Sequence, residues 1–478
     1  MNPPRSSWPT RPRRWLLVAG WVIGRLIFAD ATEARATDSV GYEQLHKFLR
    51  SAGDGEYLYD SVIEGKDGRL YGTTLNGGGP EDGGLVFALN KDGSGYAVLH
   101  NFGYGATNGL SPWGTVIQGS DHRLYGATRH GGTFDAGIVF SITTNGTDFT
   151  IVRNFTTNQN EGAYPLNTVI EGNDGRLYGR TISGGTNNGS SIFGLNQDGT
   201  GYVLLHSFAL DVPDYVDSYS GLIEGSDGML YGTTYNDGAL TNGSIFRLNK
   251  NGSGFQTLHD FADSATDGGF PYGTVYETSD GVLYGTTSEG MAFEGTLYKI
   301  NRDGSGYTVL RHFHAVNGEG YLPVAPPVEG PGGWLFGTTY FNVPEETGTI
   351  YQVRKDGSGF RFLYTFQDNG SDGVYPNAPL LRGSDGALYG TTFIGSGTNV
   401  WGSVFRIKPW ALGGQKSAIG FIVRLEGSAG QRYSVEATDL LPPQWQEVAT
   451  VTNLTGTVEW LDTTSAAKRF YRARVLQP

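Results

Sequence analysis

What most constrains this chain is an internal period of about 53 residues. Tyr71, Tyr125, Tyr178, Tyr231, Tyr284, Phe336 and Tyr389 occupy equivalent Leu-aromatic-Gly triplets, spaced 54, 53, 53, 53, 52 and 53 residues apart. A repeat of this size is one supersecondary unit that cannot bury its apolar face alone, so the fold must come from stacking neighbours. In the first copy, residues 61–64, 70–74, 85–90 and 96–102 read as strands, with Lys66-Asp67-Gly68 and Asp92-Gly93-Ser94-Gly95 as turns between them. Strand-like runs bounded by Asp-Gly and Gly-rich turns are hairpin signals. Glycine, 75 of 478 residues, follows no three-residue period, which excludes collagen and serves the many turns. Four short strands per repeat predict a β-propeller blade.

The ends of the array predict a closed ring. A fourth-strand motif, Gly-aromatic-x-x-Leu-x-x-Phe, recurs at 96–102, 202–208, 255–261, 307–313 and 360–366, with a looser copy at 149–155. A further copy, Tyr42 to Phe48, precedes the first blade, while the last repeat stops after its third strand at Ser403-Val404-Phe405-Arg406-Ile407. The N-terminal strand is therefore expected to complete the last blade and leave no unpaired edge. An open β-solenoid has no reason to donate its first strand to its last unit. The expected fold is all-β: a seven-bladed β-propeller over residues 37–408.

These motifs resemble the bacterial GloVer tandem-repeat family, also called choice-of-anchor GloVer-repeat proteins. The likeness rests on Glu224-Gly225-Ser226-Asp227-Gly228-Met229-Leu230-Tyr231-Gly232-Thr233-Thr234, on Gly243-Ser244-Ile245-Phe246-Arg247-Leu248-Asn249, and on Gly252-Ser253-Gly254-Phe255. It covers about residues 40–408 and implies an exported or surface-displayed bacterial protein, with no established activity to carry over. Departures from the pattern are Phe336 for Tyr, and Ala127 and Arg180 for the first Thr.

Outside the repeats, residues 1–36 have the order of a secretory signal peptide: Arg5, Arg11, Arg13 and Arg14, an apolar run from Trp15 to Gly24, then Ala34-Arg35-Ala36. Arg25 breaks the run short of the roughly 20 apolar residues a membrane span needs. No stable span is expected once the leader is removed; the protein is expected to be secreted, periplasmic or on the cell surface. The whole chain carries 34 basic and 47 acidic residues; six basic and two acidic ones lie in 1–36, leaving 28 against 45, or −17. Such a field repels nucleic acid and anionic lipid. With no cysteine, disulfides and thiolate chemistry are excluded. Residues 409–416 read as a linker, and five strand-like runs in 417–478 predict a small C-terminal β-sandwich. The alternation of Phe421, Val423 and Leu425, and of Tyr433, Val435 and Ala437, predicts sheets with one buried face.

Repetition also filters candidates for function: a residue present in every blade is explained by building blades, and only those that differ can make a unique site. Asp67-Gly68 and its equivalents then read as turns. His46, His100, His206 and His259 share one position with Arg153, Arg311 and Tyr364, and read as packing groups. The acidic or amide residues of the interblade loops, Asp54, Asn108, Glu161, Asp267, Glu319 and Asp372, read as solvated turns. The loops between second and third strands differ, and they emerge on the same face as the interblade loops. They offer Phe134, Tyr235, Phe293, Tyr340, Phe341, Phe393 and Trp401, with Asp135, Glu289, Glu294, Glu345 and Glu346, and also His130, Asn236 and Asn399. Aromatic faces beside carboxylates and amides suit sugar rings, although the same aromatics also serve to cover the blade tops. The expected function is noncatalytic binding or adhesion to glycan or a cell-surface polymer. The alternatives are a glycoside hydrolase or lyase using two of Glu289, Glu294, Glu345 and Glu346, or a structural surface component. No metal and no cofactor is expected, and the oligomeric state stays open.

Overall fold

A computed structural model describes residues 41–49, 53–158, 161–185, 189–208, 220–236, 238–262, 264, 266–290, 294–316, 318–370, 372–396, 400–408, 411–417, 420–426, 432–438, 446–452, 457–462 and 470–476. The leader, Phe293 and Asn399 lie outside the described residues.

The repeats form seven antiparallel sheets. In the first blade, Ile63–Glu64, Leu70–Thr74, Leu85–Leu89 and Ala97–Asn101 pair in sequence order. The seventh sheet joins Leu381–Arg382, Leu388–Thr392 and Val400–Lys408 to the N-terminal strand Gly41–Leu49, with Gly41 opposite Lys408 and Lys47 opposite Ser403. The ring closes as the motif order requires. No helix among the described residues is long and apolar enough to cross a membrane.

Second and third strands are buried on both faces, which is why they read as continuous apolar runs and not as alternation. The core is divided among the blade interfaces. Tyr71, Val86, Ala88 and Phe102 of the first blade pack against Val116, Leu124 and Phe140 of the second, and Leu45, Phe48, Tyr389 and Val404 of the seventh pack against the first. The spacing of three in the fourth-strand motif comes from a β-bulge. Phe87 faces Val98 and Val86 faces His100, so Leu99 is the extra residue: Tyr96 and Val98 pack toward the seventh blade, and past the bulge Leu99 and Phe102 pack together toward the second. The closing strand carries the same bulge at Leu45.

Side chains latch each blade to the next. The first Thr of the Gly-Thr-Thr motif donates to a carbonyl just ahead of the first strand of the following blade: Thr73 to Gly114 at 2.9 Å, Thr233 to Gly273 at 3.0 Å, Thr286 to Ala325 at 3.1 Å, and Thr391 to Asp60 at 2.9 Å across the ring closure. Where Ala127 stands instead, Thr168 reaches back to the Thr115 carbonyl at 2.9 Å. Arg180, buried, reaches Ser220 Oγ at 2.9 Å and the Thr233 carbonyl at 2.6 Å. On the outer side, His100 stacks on Phe149 of the next blade at 3.9 Å, His259 on Tyr307 at 3.7 Å, and Arg311 lies over Phe360 at 3.7 Å.

These outer groups are tied to the interblade-loop acids, which corrects the reading of those acids as solvated turns. Asp267 and Asp372 are buried. Asp267 accepts from Tyr307 at 2.5 Å and lies 3.1 Å from His259 Nε2, while Asp372 accepts from Tyr364 at 2.6 Å. The local sequence of an acidic residue before Gly looks like a turn because the partners come from the fourth strand and the next blade.

The C-terminal part holds two three-stranded sheets: Ala411–Ser417, Gly420–Glu426 and Thr457–Asp462, and Gln446–Thr452, Arg432–Thr438 and Phe470–Val475. Most of the segment 409–416, expected as a linker, is thus a strand, paired with Gly420–Glu426 from Ala411 opposite Glu426 to Ser417 opposite Gly420. Tyr433, Ser434, Val435, Glu436 and Ala437 are all buried, so this central strand has both faces covered where alternation predicted one.

Candidate functional site

The second-to-third-strand loops and the interblade loops do emerge together, because they pair with each other: Gly55 with Gly77, Gly109 with Gly131, Ala163 with Ser183, Gly320 with Asn342, and Gly373 with Gly395. Among the described residues, six of the junctions hold one interblade residue at positive φ: Tyr57 at 60°, Ser111 at 59°, Tyr164 at 58°, Phe270 at 58°, Leu322 at 59° and Tyr375 at 61°. For bulky residues this is an outlier that the surroundings must enforce. Two backbone hydrogen bonds do so. Tyr375 N–H donates to the Thr347 carbonyl of the preceding blade at 3.0 Å, and its own carbonyl accepts from Phe393 N–H at 3.0 Å.

This conformation brings interblade aromatics into contact with those of the variable loops. Tyr57 lies 5.0 Å from Phe393 and 5.2 Å from Trp401; Tyr59 lies 4.5 Å from Trp113 and 4.8 Å from Phe393. Arg129 sits over Trp113 at 5.0 Å, and its Nε is buried with no hydrogen-bond partner among the described residues. A second cluster joins Tyr340 to Tyr375 at 5.1 Å and to Phe341 at 4.7 Å, with Tyr321 5.5 Å from Phe341. Tyr235 lies 5.3 Å from Phe270 and 6.1 Å from Tyr272. Burial, followed by the nearby Tyr59 and Tyr375 hydroxyls, pushes the Tyr340 hydroxyl well above the usual phenol range.

The structure thus brings Phe393 and Trp401 together, and Tyr340 with Phe341, but each ring is half-buried against others. Phe134 is an exposed ring, 57% accessible. Asp135 braces its own loop by accepting from Gly131 N–H at 2.8 Å. Glu345 accepts from Asn342 at 2.8 Å. Glu289 bridges backbone to Gly269 and is exposed. Glu294 and Glu346, from neighbouring blades, both act on the Tyr321 hydroxyl, whose pKa burial raises first and these carboxylates raise further. Tyr57, Tyr59, Trp113, Tyr272 and Tyr375 were not among the expected residues. They lie in loops whose shared Gly and Pro draw attention to turn chemistry, although the aromatics themselves differ between blades.

Below the aromatic mouth lies an axial cavity of about 340 Å³. Its upper wall carries Tyr59, Asp60, Thr115, Asn167, Thr274 and Asn377, and its lower wall Ile63, Ile117, Ile170 and Leu381. Asp60 is the one acid in this lining. It accepts from Ser61 N–H at 2.8 Å and Thr115 N–H at 3.1 Å, and Thr168 Oγ1 is 3.0 Å away.

The opposite face holds a wider depression of about 1120 Å³, lined by Glu171, Glu224, Glu277, Glu329 and Arg382. Its size does not make it the better site, because these carboxylates are committed to the fold. Glu277 accepts from Ser226 N–H of the preceding blade at 2.7 Å and Glu329 from Ser279 N–H at 2.7 Å, while Lys355 lies 2.8 Å from Glu329 and Lys250 2.7 Å from Glu224. Burial would raise Glu329, but hydrogen bonds from Lys355 and Ser279 outweigh it and hold the carboxyl below its usual range. Among the described residues no group of three or more His, Asp or Glu is placed to hold a metal ion.

The class these features define is a seven-bladed propeller with recurring latches between blades and one variable, aromatic face around its axis. The chain belongs to the Gloeobacter/Verrucomicrobia repeat family, whose model matches residues 34–219, 155–326 and 217–439. No curated protein matches it. Among solved structures it is similar to an oligogalacturonate lyase from Vibrio parahaemolyticus, at 10% identity over 77% of this chain and 97% of that one, with a TM-score of 0.46. It is also similar to a chain of a nidogen/laminin complex, at 14% identity over 63% and 94% with a TM-score of 0.38, and to TolB from Acinetobacter baumannii, at 12% over 62% of each with a TM-score of 0.36. At such scores these likenesses carry no argument about activity.

Proposed function

We propose that this is an exported, noncatalytic binding protein that presents its variable propeller face to carbohydrate. The observation that carries this reading is the clustering of Tyr57, Tyr59, Trp113, Phe393 and Trp401 around the axial mouth, beside polar groups of the cavity wall. Aromatic rings offer apolar faces to sugar C–H groups, while amides and hydroxyls take the sugar hydroxyls. Catalysis by paired carboxylates has weaker support: Glu294 and Glu346 share only the neighbourhood of Tyr321, and both are exposed.

The test is a glycan array on residues 37–478, followed by calorimetry on the glycans selected. Phe393→Ala and Tyr340→Ala should each weaken binding by about 2- to 12-fold, the range equivalent to about 0.5–1.5 kcal/mol for a ring contact. His100→Ala, on the outer latch, should leave glycan selection unchanged. Failure to retain any glycan would end this reading, and steady turnover of a retained one would replace it with the enzymatic alternative.

A further inference from the structure

The axial cavity carries polar atoms that the fold does not use. Ser61 Oγ and Thr115 Oγ1 have no hydrogen-bond partner among the described residues, although Ser61 is 7% exposed and Thr115 6%. Thr274 Oγ1 and Asn377 Oδ1 are likewise buried and unpartnered. All four residues line the same cavity and come from four different blades: the first, second, fifth and seventh. The hydroxyls facing the blade interfaces behave differently. Thr73, Thr233, Thr286 and Thr391 each donate to a neighbouring carbonyl. Leaving a buried polar group unsatisfied is costly, and groups kept in that state concentrate where a site has been built at the expense of stability.

We propose that the cavity receives the neutral, polyhydroxylated end of a glycan chain, entering along the propeller axis from the aromatic mouth. This rests on the carbohydrate reading above and names the part of the ligand recognised. Three observations select that chemistry. The cavity is at the low end of the roughly 300–1,000 Å³ that small-ligand pockets span, so it holds an end and not a chain lying across the face. The unpartnered atoms are hydroxyls, able to donate and accept, and an amide oxygen; each is closed off from solvent at the cavity wall, and rotation of its side chain into the cavity lets it match a hydroxyl of the ring. No basic residue lines the cavity, so an anionic sugar finds no counter-charge there, and the Asp60 carboxylate already accepts from Ser61, Thr115 and Thr168. The ring of the terminal sugar meets Tyr59 and Tyr272 as it enters, and the Ile63, Ile117, Ile170 and Leu381 layer ends the polar zone beneath it.

The probes are cellobiose, maltose and mannobiose with their hexamers, titrated by calorimetry into residues 37–478 and into the Thr115→Val, Thr274→Val double variant. Valine keeps the shape of threonine and removes only the hydroxyl, so the fold should persist and its melting temperature should not fall. One disaccharide should bind within about tenfold of its hexamer, and the double variant should lose at least about tenfold of both affinities. A double variant that binds as the parent does, with an unchanged or higher melting temperature, would overturn the proposal while leaving the carbohydrate reading intact. A protein that binds only internal segments of long chains, or only anionic glycans, would overturn it in the same way. Absence of binding to any glycan on the array would remove both.

Discussion

Glycine and tyrosine illustrate how single residues decide blade geometry. In the Leu-aromatic-Gly triplet, a Cβ on Gly232 would stand 2.6 Å from Phe246 Cζ, and one on Gly72 would stand 2.5 Å from Phe87 Cζ, because the third-strand ring lies over the glycine. Gly232→Ala should therefore destabilise the protein by about 1–3 kcal/mol through overpacking, read as a lower urea midpoint. The aromatic before it has its own partner. Tyr71, Tyr125, Tyr178, Tyr231 and Tyr389 each donate to the Asp of their own turn, at 2.5–2.8 Å. Phe336 stands where the turn is Pro331-Gly332-Gly333, with no Asp to accept, so the two departures belong together. Tyr231→Phe should cost about 0.5–1.5 kcal/mol and the same exchange at the sixth blade is already made.

At the scale of elements, the latches between blades matter more than any strand taken alone. First strands have only two ladder residues each, so pairing within a blade cannot by itself hold the inner edge. Asp267 joins the fifth interblade loop to His259 and Tyr307, and its carboxyl is held below the usual range: burial would raise it, and hydrogen bonds from His259, Tyr307 and Ala262 outweigh that. Asp267→Ala should cost about 1.5–3 kcal/mol, the range for hydrogen bonds to a charged group, measured as a shift in thermal or urea midpoint. The equivalent change at Glu319, half-buried beside Arg311 at 2.9 Å, should cost less, because solvent screens that pair.

For the whole molecule, closure and pH dependence follow from the ring. Deleting residues 41–49 removes the outer strand of the last blade and exposes the edge of Val400–Lys408, so the melting temperature should fall and aggregation should rise. An unchanged melting temperature would contradict closure as a source of stability. On the acid side, burial lowers His100 from 6.5, so the unfolded chain takes up that proton first and stability declines as pH drops below 6.5. Asp54 and Asp267, lowered from 3.8, add stability above that value which is lost as pH falls through their folded pKa. On the alkaline side, burial pushes Tyr71 and Tyr284 up to about 12, followed for Tyr71 by its bond to Asp67. The unfolded chain releases those protons near 10, so stability is full below 10 and declines above it. Melting temperatures across pH 3–12 should form a plateau between these limits.

The period of the Leu-aromatic-Gly triplets and the displaced copy at Tyr42 to Phe48 determined the blade count and the closure by themselves, because both are properties of order along the chain. The strands and their Asp-Gly turns were legible for the same reason: hairpins are made of near neighbours. Positions in the variable loops were legible as well, but their surroundings were not. Trp401 packs on Tyr57, at the other end of the array across the ring closure, and Phe341 on Tyr321, Tyr340 and Tyr375, since a ring finds its partners in whichever loops the closed ring sets beside it. Asp267 looked like a turn residue until its fourth-strand and next-blade partners buried it. The axial cavity had no signature in the chain at all. Ser61, Thr115, Thr274 and Asn377 are ordinary strand-edge residues in sequence, and only closing seven sheets around one axis sets them around a common space.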